Sequence, residues 1–238
     1  MASKECFHFT NLKNLKSINT FGLKPTLSKN SDWVQDENPK VSYSDSIIGA
    51  IGMYVNYIQV YDEIRSGKRK ANPNNKRQIE AFNKVRASKS IEDYLGDSTY
   101  LLFDGEGIEN DGGNHGDGGI YDASTKQAVP PERLRVGLLK DDDTGHVTYS
   151  MFDYIHFLMS QMTLKEYEEM IPPMQERFDI YYNEHREEID RFKKGHFTKK
   201  ELPLSKFIDV MKGRIEELTK DRDIKEDSSR DDDDDEAK

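Results

Sequence analysis

Three observations in this 238-residue chain predict an α+β fold. Strand-like and helix-like segments are mixed through the first 145 residues, helical periodicity alone runs from Met151 to Lys220, and no segment recurs at a fixed period. The expected division is an α+β unit over residues 1–145, a helical C-terminal subdomain over 146–225 that is able to pack on the same sheet, and a disordered acidic tail over 226–238.

The elements follow in order. Glu5 to Thr10 reads as a strand, after which Leu12, Leu15 and Ile18 recur at helical spacing behind Asn11, a suitable N-cap. Gly22-Leu23-Lys24-Pro25 stops that helix. After a polar stretch holding the only tryptophan, Trp33, a second strand is expected over Lys40 to Ser44. From Ser46 to Ile64, Ile47, Ala50, Ile51, Tyr54, Ile58 and Tyr61 describe a long amphipathic helix. Further helices are expected at Gln78 to Ala87 and Ser90 to Leu95, and strands at Thr99 to Phe103, Ile120 to Asp122 and Leu134 to Leu139. Beyond the acidic turn Asp141 to Gly145, helices are punctuated at Pro172-Pro173, Gly195 and Pro203. The stripe Phe152, Tyr154, Ile155, Phe157 and Leu158 reads as core packing.

Charged residues make up 34% of the chain, as many as the hydrophobic ones, so part of it must be solvated surface. The net charge is −10, but residues 226–238 hold eight acids and two bases, which leaves the rest only mildly acidic and a polyanionic partner open. Basic residues cluster at Arg65, Lys68, Arg69, Lys70, Lys76 and Arg77, a run able to meet phosphate or to form a solvated loop. The single cysteine, Cys6, excludes an intramolecular disulfide framework, and the N-terminus has no signal-peptide pattern, so a cytoplasmic location is expected. No apolar stretch is long enough to span a bilayer.

In a strand, residues two apart share a face, so His8 and Thr10 point together while Phe7 and Phe9 point the other way. That arrangement sets an imidazole and a hydroxyl beside each other. The run Phe7-His8-Phe9-Thr10-Asn11-Leu12-Lys13-Asn14-Leu15-Lys16-Ser17-Ile18, with Phe21-Gly22-Leu23, resembles the opening of ADP-ribosyltransferase-fold proteins that carry an H-x-T strand, closest to the DarT-type toxins and the tRNA 2′-phosphotransferases. The likeness is close over about 20 residues and weaker over some 140 in the order of elements.

The resemblance implies a split β-sheet with flanking helices, NAD as co-substrate, and transfer of ADP-ribose to a macromolecular target, protein or nucleic acid, by a toxin- or effector-type enzyme. It further implies that His8 and Thr10 hold the ribose and nicotinamide parts of NAD. Ser42 would belong to a second family element, the strand leading into a helix, where Tyr43 or Tyr54 would stack on the nicotinamide ring. Cleaving the nicotinamide–ribose bond develops an oxocarbenium-like centre that a carboxylate stabilises. The family's glutamate has no counterpart before Glu132, so Asp122 is the nearest acid, with Glu106 or Glu109 able to approach from the glycine-rich segment 105–119.

That departure keeps two alternatives. One is a non-enzymatic nucleotide-binding module on the same fold, which Gln127 would suit. The other is an NAD-dependent RNA 2′-phosphotransferase-like enzyme, for which Arg65, Arg69, Arg133 and Arg135 are the available phosphate-gripping residues. The segment 105–119 alternates glycines with oxygen donors, and His115 stands near Asp117, but neither the EF-hand nor the nonapeptide calcium spacing is met, so no metal site is expected. His146, His156, His185 and His196 fall at no ligand spacing and read as surface or core residues.

Overall fold

A computed structural model describes residues 5–25, 39–110 and 123–227. The fold is mixed α+β with antiparallel sheets. Strand β1 (Glu5–Asn11) carries alternating apolar and polar residues and ends where the Asn11 carboxamide accepts from the Lys13 amide (3.1 Å), capping a short 3-10 turn. Helix α1 (Leu15–Phe21) follows and closes on Gly22, at φ 74°. Strand β2 (Val41–Tyr43) precedes α2 (Ile47–Arg65), whose first turn is fixed by Ser46 Oγ accepting from the Gly49 amide (2.9 Å). Helices α3 (Lys76–Ala87) and α4 (Ile91–Leu95) start at the caps Asn75 and Ser90 and lead into β3 (Ser98–Asp104).

Strands β4 (Ala123–Thr125), β5 (Arg135–Asp141) and β6 (Val147–Thr148) come next. Then follow helices α5 (Met151–Gln161), α6 (Leu164–Glu169), α7 (Pro172–Glu184) and α8 (Arg186–Lys194), strand β7 (Phe197–Pro203) and helix α9 (Leu204–Asp227). The strand expected at 120–122 lies outside the described residues, as do Trp33 and the tail from residue 228. Among the described residues no helix is long and apolar enough to cross a membrane.

The larger sheet runs β1–β3–β5, with β7 and β6 both paired to β5. β1 pairs with β3 over its whole length, from Glu5 opposite Asp104 to Asn11 opposite Ser98. The smaller sheet is β2 paired with β4, Ser42 opposite Ser124. Among the described residues a single bridge stitches the two sheets: the Phe7 amide donates to the Ser44 carbonyl (2.7 Å) and the Ser44 amide to the Phe7 carbonyl (2.8 Å).

β7 corrects the sequence reading. The segment 146–225 is not helical throughout, because Phe197–Pro203 pairs residue for residue with Asp141 to Arg135 and completes the sheet begun in the first half of the chain. Its Thr198-Lys199-Lys200-Glu201 centre shows no apolar alternation because the strand buries little of itself, and lysines on an outer strand discourage pairing with other chains.

The sheet is covered on both faces. Phe7, Tyr100 and Leu102 pack with Ile51, Tyr54, Tyr154, Ile155, Phe178 and Tyr181 of α2, α5 and α7. Cys6, Leu101, Phe103 and Val136 pack on the other face with Leu12, Leu15, Tyr43, Phe207 and Ile215. On the first face Gly137 makes room for Tyr154, since a Cβ at this position would lie 2.8 Å from the Tyr154 ring. Gly137→Ala is therefore expected to lower stability by about 1–3 kcal/mol, read from the urea midpoint, whereas Gly213→Ala, inside α9 and in open space, should raise it by about 0.5–1 kcal/mol.

Candidate functional site

The even-numbered residues of β1 face the second cluster: Cys6 is buried, His8 half-buried and Thr10 buried. β2 crosses their edge. His8 Nδ1 lies 2.8 Å from the main-chain carbonyl of Ser42, an acceptor only, so the neutral ring carries its proton on Nδ1 and donates it there. Burial pushes the His8 pKa down and the Ser42 hydrogen bond opposes it in part. The outcome is a neutral imidazole whose Nε2 lone pair has no hydrogen-bond partner among the described residues. Such a nitrogen can accept a hydroxyl proton or a hydrogen bond.

Thr10 Oγ1 accepts weakly from Asn14 Nδ2 (3.4 Å), which ties the strand to the helix that follows. Opposite Thr10 on β3 stands Thr99, wholly buried, with its hydroxyl unpartnered among the described residues. Ser44, at the stitch between the sheets, is also wholly buried with an unpartnered hydroxyl. An unmet buried hydroxyl costs about 1–3 kcal/mol, so Thr99, on the same face as His8, marks a place that something polar completes, whereas Ser44 is paired with Phe7 and so faces the other cluster. Nothing in the sequence pattern marks Thr99, since a threonine in a strand is ordinary.

The two expected aromatic partners are core rings, one on each face of the sheet. Tyr43 stays on the His8 side but is 3% exposed and stands edge-on to Phe103 (centroids 5.5 Å apart), so it is a core ring with no free face. Tyr54 packs in the cluster on the opposite face of the sheet, with its hydroxyl 3.2 Å from that of Tyr181. A stacking aromatic and a core aromatic have the same spacing in sequence, and burial decided both.

Of the candidate acids, Asp122 lies outside the described residues, as do His115 and Asp117. Glu106 is exposed in the turn after β3, where its carbonyl accepts from Arg133 Nη2 (2.7 Å) and its amide donates to Asp104 Oδ1 (3.0 Å). The Glu109 amide donates to Gln127 Oε1 (3.3 Å), joining the start of the glycine-rich segment to β4's exit.

The four arginines considered for phosphate are committed to internal partners. Arg65 donates to Tyr61 Oη and the Lys89 carbonyl, Arg69 to Glu63, Arg133 to the carbonyls of Asp104 and Glu106, and Arg135 is paired with Glu201.

Comparison with protein-family models, with curated proteins and with solved structures finds no match to this chain. Its own geometry therefore carries the functional reading. Among the described residues no group of three or more His, Cys, Asp or Glu is arranged to hold a metal ion. An open cleft of about 250 Å³ lies at the other end of β5, lined by Asp141, Asp143, His146, Asp153, Arg191 and Phe197. Its carboxylates are engaged within the protein: Asp153 meets Arg191 and Thr148, Asp143 meets His196, and Asp141 accepts the amides of Asp143 and Thr144. His8 does not line this cleft, and the pair at the sheet junction is the better candidate.

A second polar group sits under the opposite face. His156 Nε2 is 2.8 Å from Tyr181 Oη, which in turn meets Tyr54 Oη, and the His185 ring stacks on Tyr181 at 4.2 Å. His156 is a core residue, and burial, with His185 beside it, holds its pKa at about 4.

Proposed function

We propose that the chain is an NAD-dependent mono-ADP-ribosyltransferase-like enzyme of toxin or effector type, acting on a macromolecular target, with its pocket at the junction of a split sheet of the ADP-ribosyltransferase kind. The observation that carries this reading is the His8 imidazole, held neutral with Nδ1–H on the Ser42 carbonyl and Nε2 left to accept, in an H-x-T strand that meets a second sheet at Ser44. In this reading Nε2 accepts a ribose hydroxyl of NAD, while Thr10 and the unmet hydroxyl of Thr99 lie on the same face of the paired strands. The C–N bond between ribose and nicotinamide breaks, its electron pair leaves with nicotinamide, and a nucleophile of the target takes the ribose carbon. Asp122 or Glu106 supplies the carboxylate that stabilises the charge developing on the sugar.

A nucleotide-binding module without transfer is the second reading. It is favoured by the contacts of His8, which include no carboxylate among the described residues. The RNA 2′-phosphotransferase reading is weakened by the internal commitments of Arg65, Arg69, Arg133 and Arg135.

Incubation with NAD, alone and with cell extract, separates these readings. Nicotinamide release that falls at least tenfold in His8→Ala, with NAD affinity reduced in calorimetry, is the expected result. Binding without release in either condition selects the module. No binding and no release removes NAD from the account.

A further inference from the structure

We propose that the lobe formed by the end of α2, the loop after it and α3 is a docking surface for the phosphate backbone of a nucleic acid. Residues 60–91, which span the lobe, hold nine lysines and arginines against three acids, Asp62, Glu63 and Glu80, in a chain whose net charge is −10. A solvated helix face ordinarily mixes both signs, whereas this one concentrates one sign against the trend of the whole molecule.

The lobe is built rather than loose. Val60, Tyr61, Ile64, Phe82, Val85 and Ile91 give it a small core of its own. Arg65 and Arg69 are consumed in bracing that core, the first on Tyr61 and the Lys89 carbonyl, the second on Glu63. Six other cations are exposed: Lys68, Lys70, Lys76, Lys84, Arg86 and Lys89. Among the described residues the five lysine side chains have neither an ion-pair nor a hydrogen-bond partner, while the Arg86 guanidinium lies over the Phe82 ring at 6.0 Å. On α3, Lys76 and Lys84 occupy the solvent side, opposite the buried Phe82 and Val85.

Crowded like charges repel one another, and a polyanion relieves that repulsion by releasing its own counterions. The chemistry favours nucleic acid over a lipid surface. Membrane-bound basic surfaces add apolar side chains that insert, and among the described residues the large exposed apolar side chains, Phe21, Val147, Leu164, Ile180 and Val210, all lie outside the lobe.

The lobe's charge carries this inference independently of the NAD pocket. Fluorescence anisotropy with labelled single-stranded DNA and RNA of about 20 nucleotides tests it on the full chain. Affinity is expected to fall steeply with NaCl. Lys76→Gln with Lys84→Gln should weaken binding at least tenfold and flatten the log–log salt slope by roughly 1.4, about 0.7 for each lost contact. Lys68→Gln with Lys70→Gln, a second pair on the loop, should do the same, and unchanged urea midpoints show that both variants fold. His8→Ala should bind as the parent does, so a failed pocket and a failed lobe are told apart. Equal affinity of the parent and both lysine pairs overturns the proposal. So does binding to phosphatidylserine-containing vesicles without binding to either oligonucleotide.

Discussion

Gly22→Ala is expected to destabilise the protein by roughly 2–6 kcal/mol, the sum of a backbone penalty of about 1–3 and an overpacking penalty of about 1–3 kcal/mol. Gly22 sits at φ 74° and ψ −174°, a region essentially confined to glycine. A Cβ there would also press into the carbonyl of Val129, which is main chain and fixed, because Leu23 and Val129 exchange hydrogen bonds of 2.9 Å in both directions. The helix that Gly22 terminates begins just after the strand of His8, so the lesion lies in the frame of the proposed pocket. Urea unfolding of the variant should show a large fall in midpoint, and Gly145→Ala, also at positive φ but in open space, should lose only the smaller backbone part. A Gly22→Ala midpoint within error of the Gly145→Ala value would refute the clash.

The second large effect is a loss of stability in mild acid. His156 has a pKa of about 4 in the folded protein against an ordinary 6.5, because burial disfavours its charged form. The unfolded chain therefore takes up a proton first, and stability falls as pH drops from about 6.5 toward about 4, then levels off. The depression corresponds to about 3 kcal/mol at the low end. Asp153 and Glu188 favour the charged form while His185 and Arg191 oppose it, so the sign rests on burial. His156→Gln removes the proton acceptor. The difference between parent and variant stability should shrink or reverse as pH falls from 7 to 4, which separates this group from the carboxylates that titrate in both proteins. Parallel pH curves would exclude His156 as the cause. Tyr181→Phe is a companion test: it strands the Tyr54 hydroxyl and His156 Nε2 in the core, at about 1–3 kcal/mol for each orphan.

Local chemistry was legible in the sequence, and long-range pairing was not. Asn11 announced its helix, and the starts at Ser46 and Ser90 were legible, because each cap is satisfied within three residues of itself, whereas α3 was expected from Gln78 and begins at Lys76 behind Asn75. Gly22 announced a stop for the same reason. β7 was hidden because its pairing with β5 joins residues some sixty positions apart, and its outward-facing charges erase the alternation that marks a half-buried strand. The Tyr54–Tyr181 contact spans 127 positions, so neither residue carried a sign of the other. The His8 and Thr10 pair was readable from strand parity alone, whereas its completion by Thr99 required knowing which residue of β3 faces Thr10.

The imidazole of His8 is oriented by a main-chain oxygen, and every amino acid offers that oxygen. Position 42 is thus constrained in path and unconstrained in identity: Ser42→Ala or Ser42→Val preserves the tautomer provided the strand keeps its course. Drift at this position would leave the chemistry of the histidine untouched while erasing the lettering around it. Relatives of this site are accordingly to be recognised by the trajectory of the second sheet past the first, with a histidine at the crossing, more than by any string of residues.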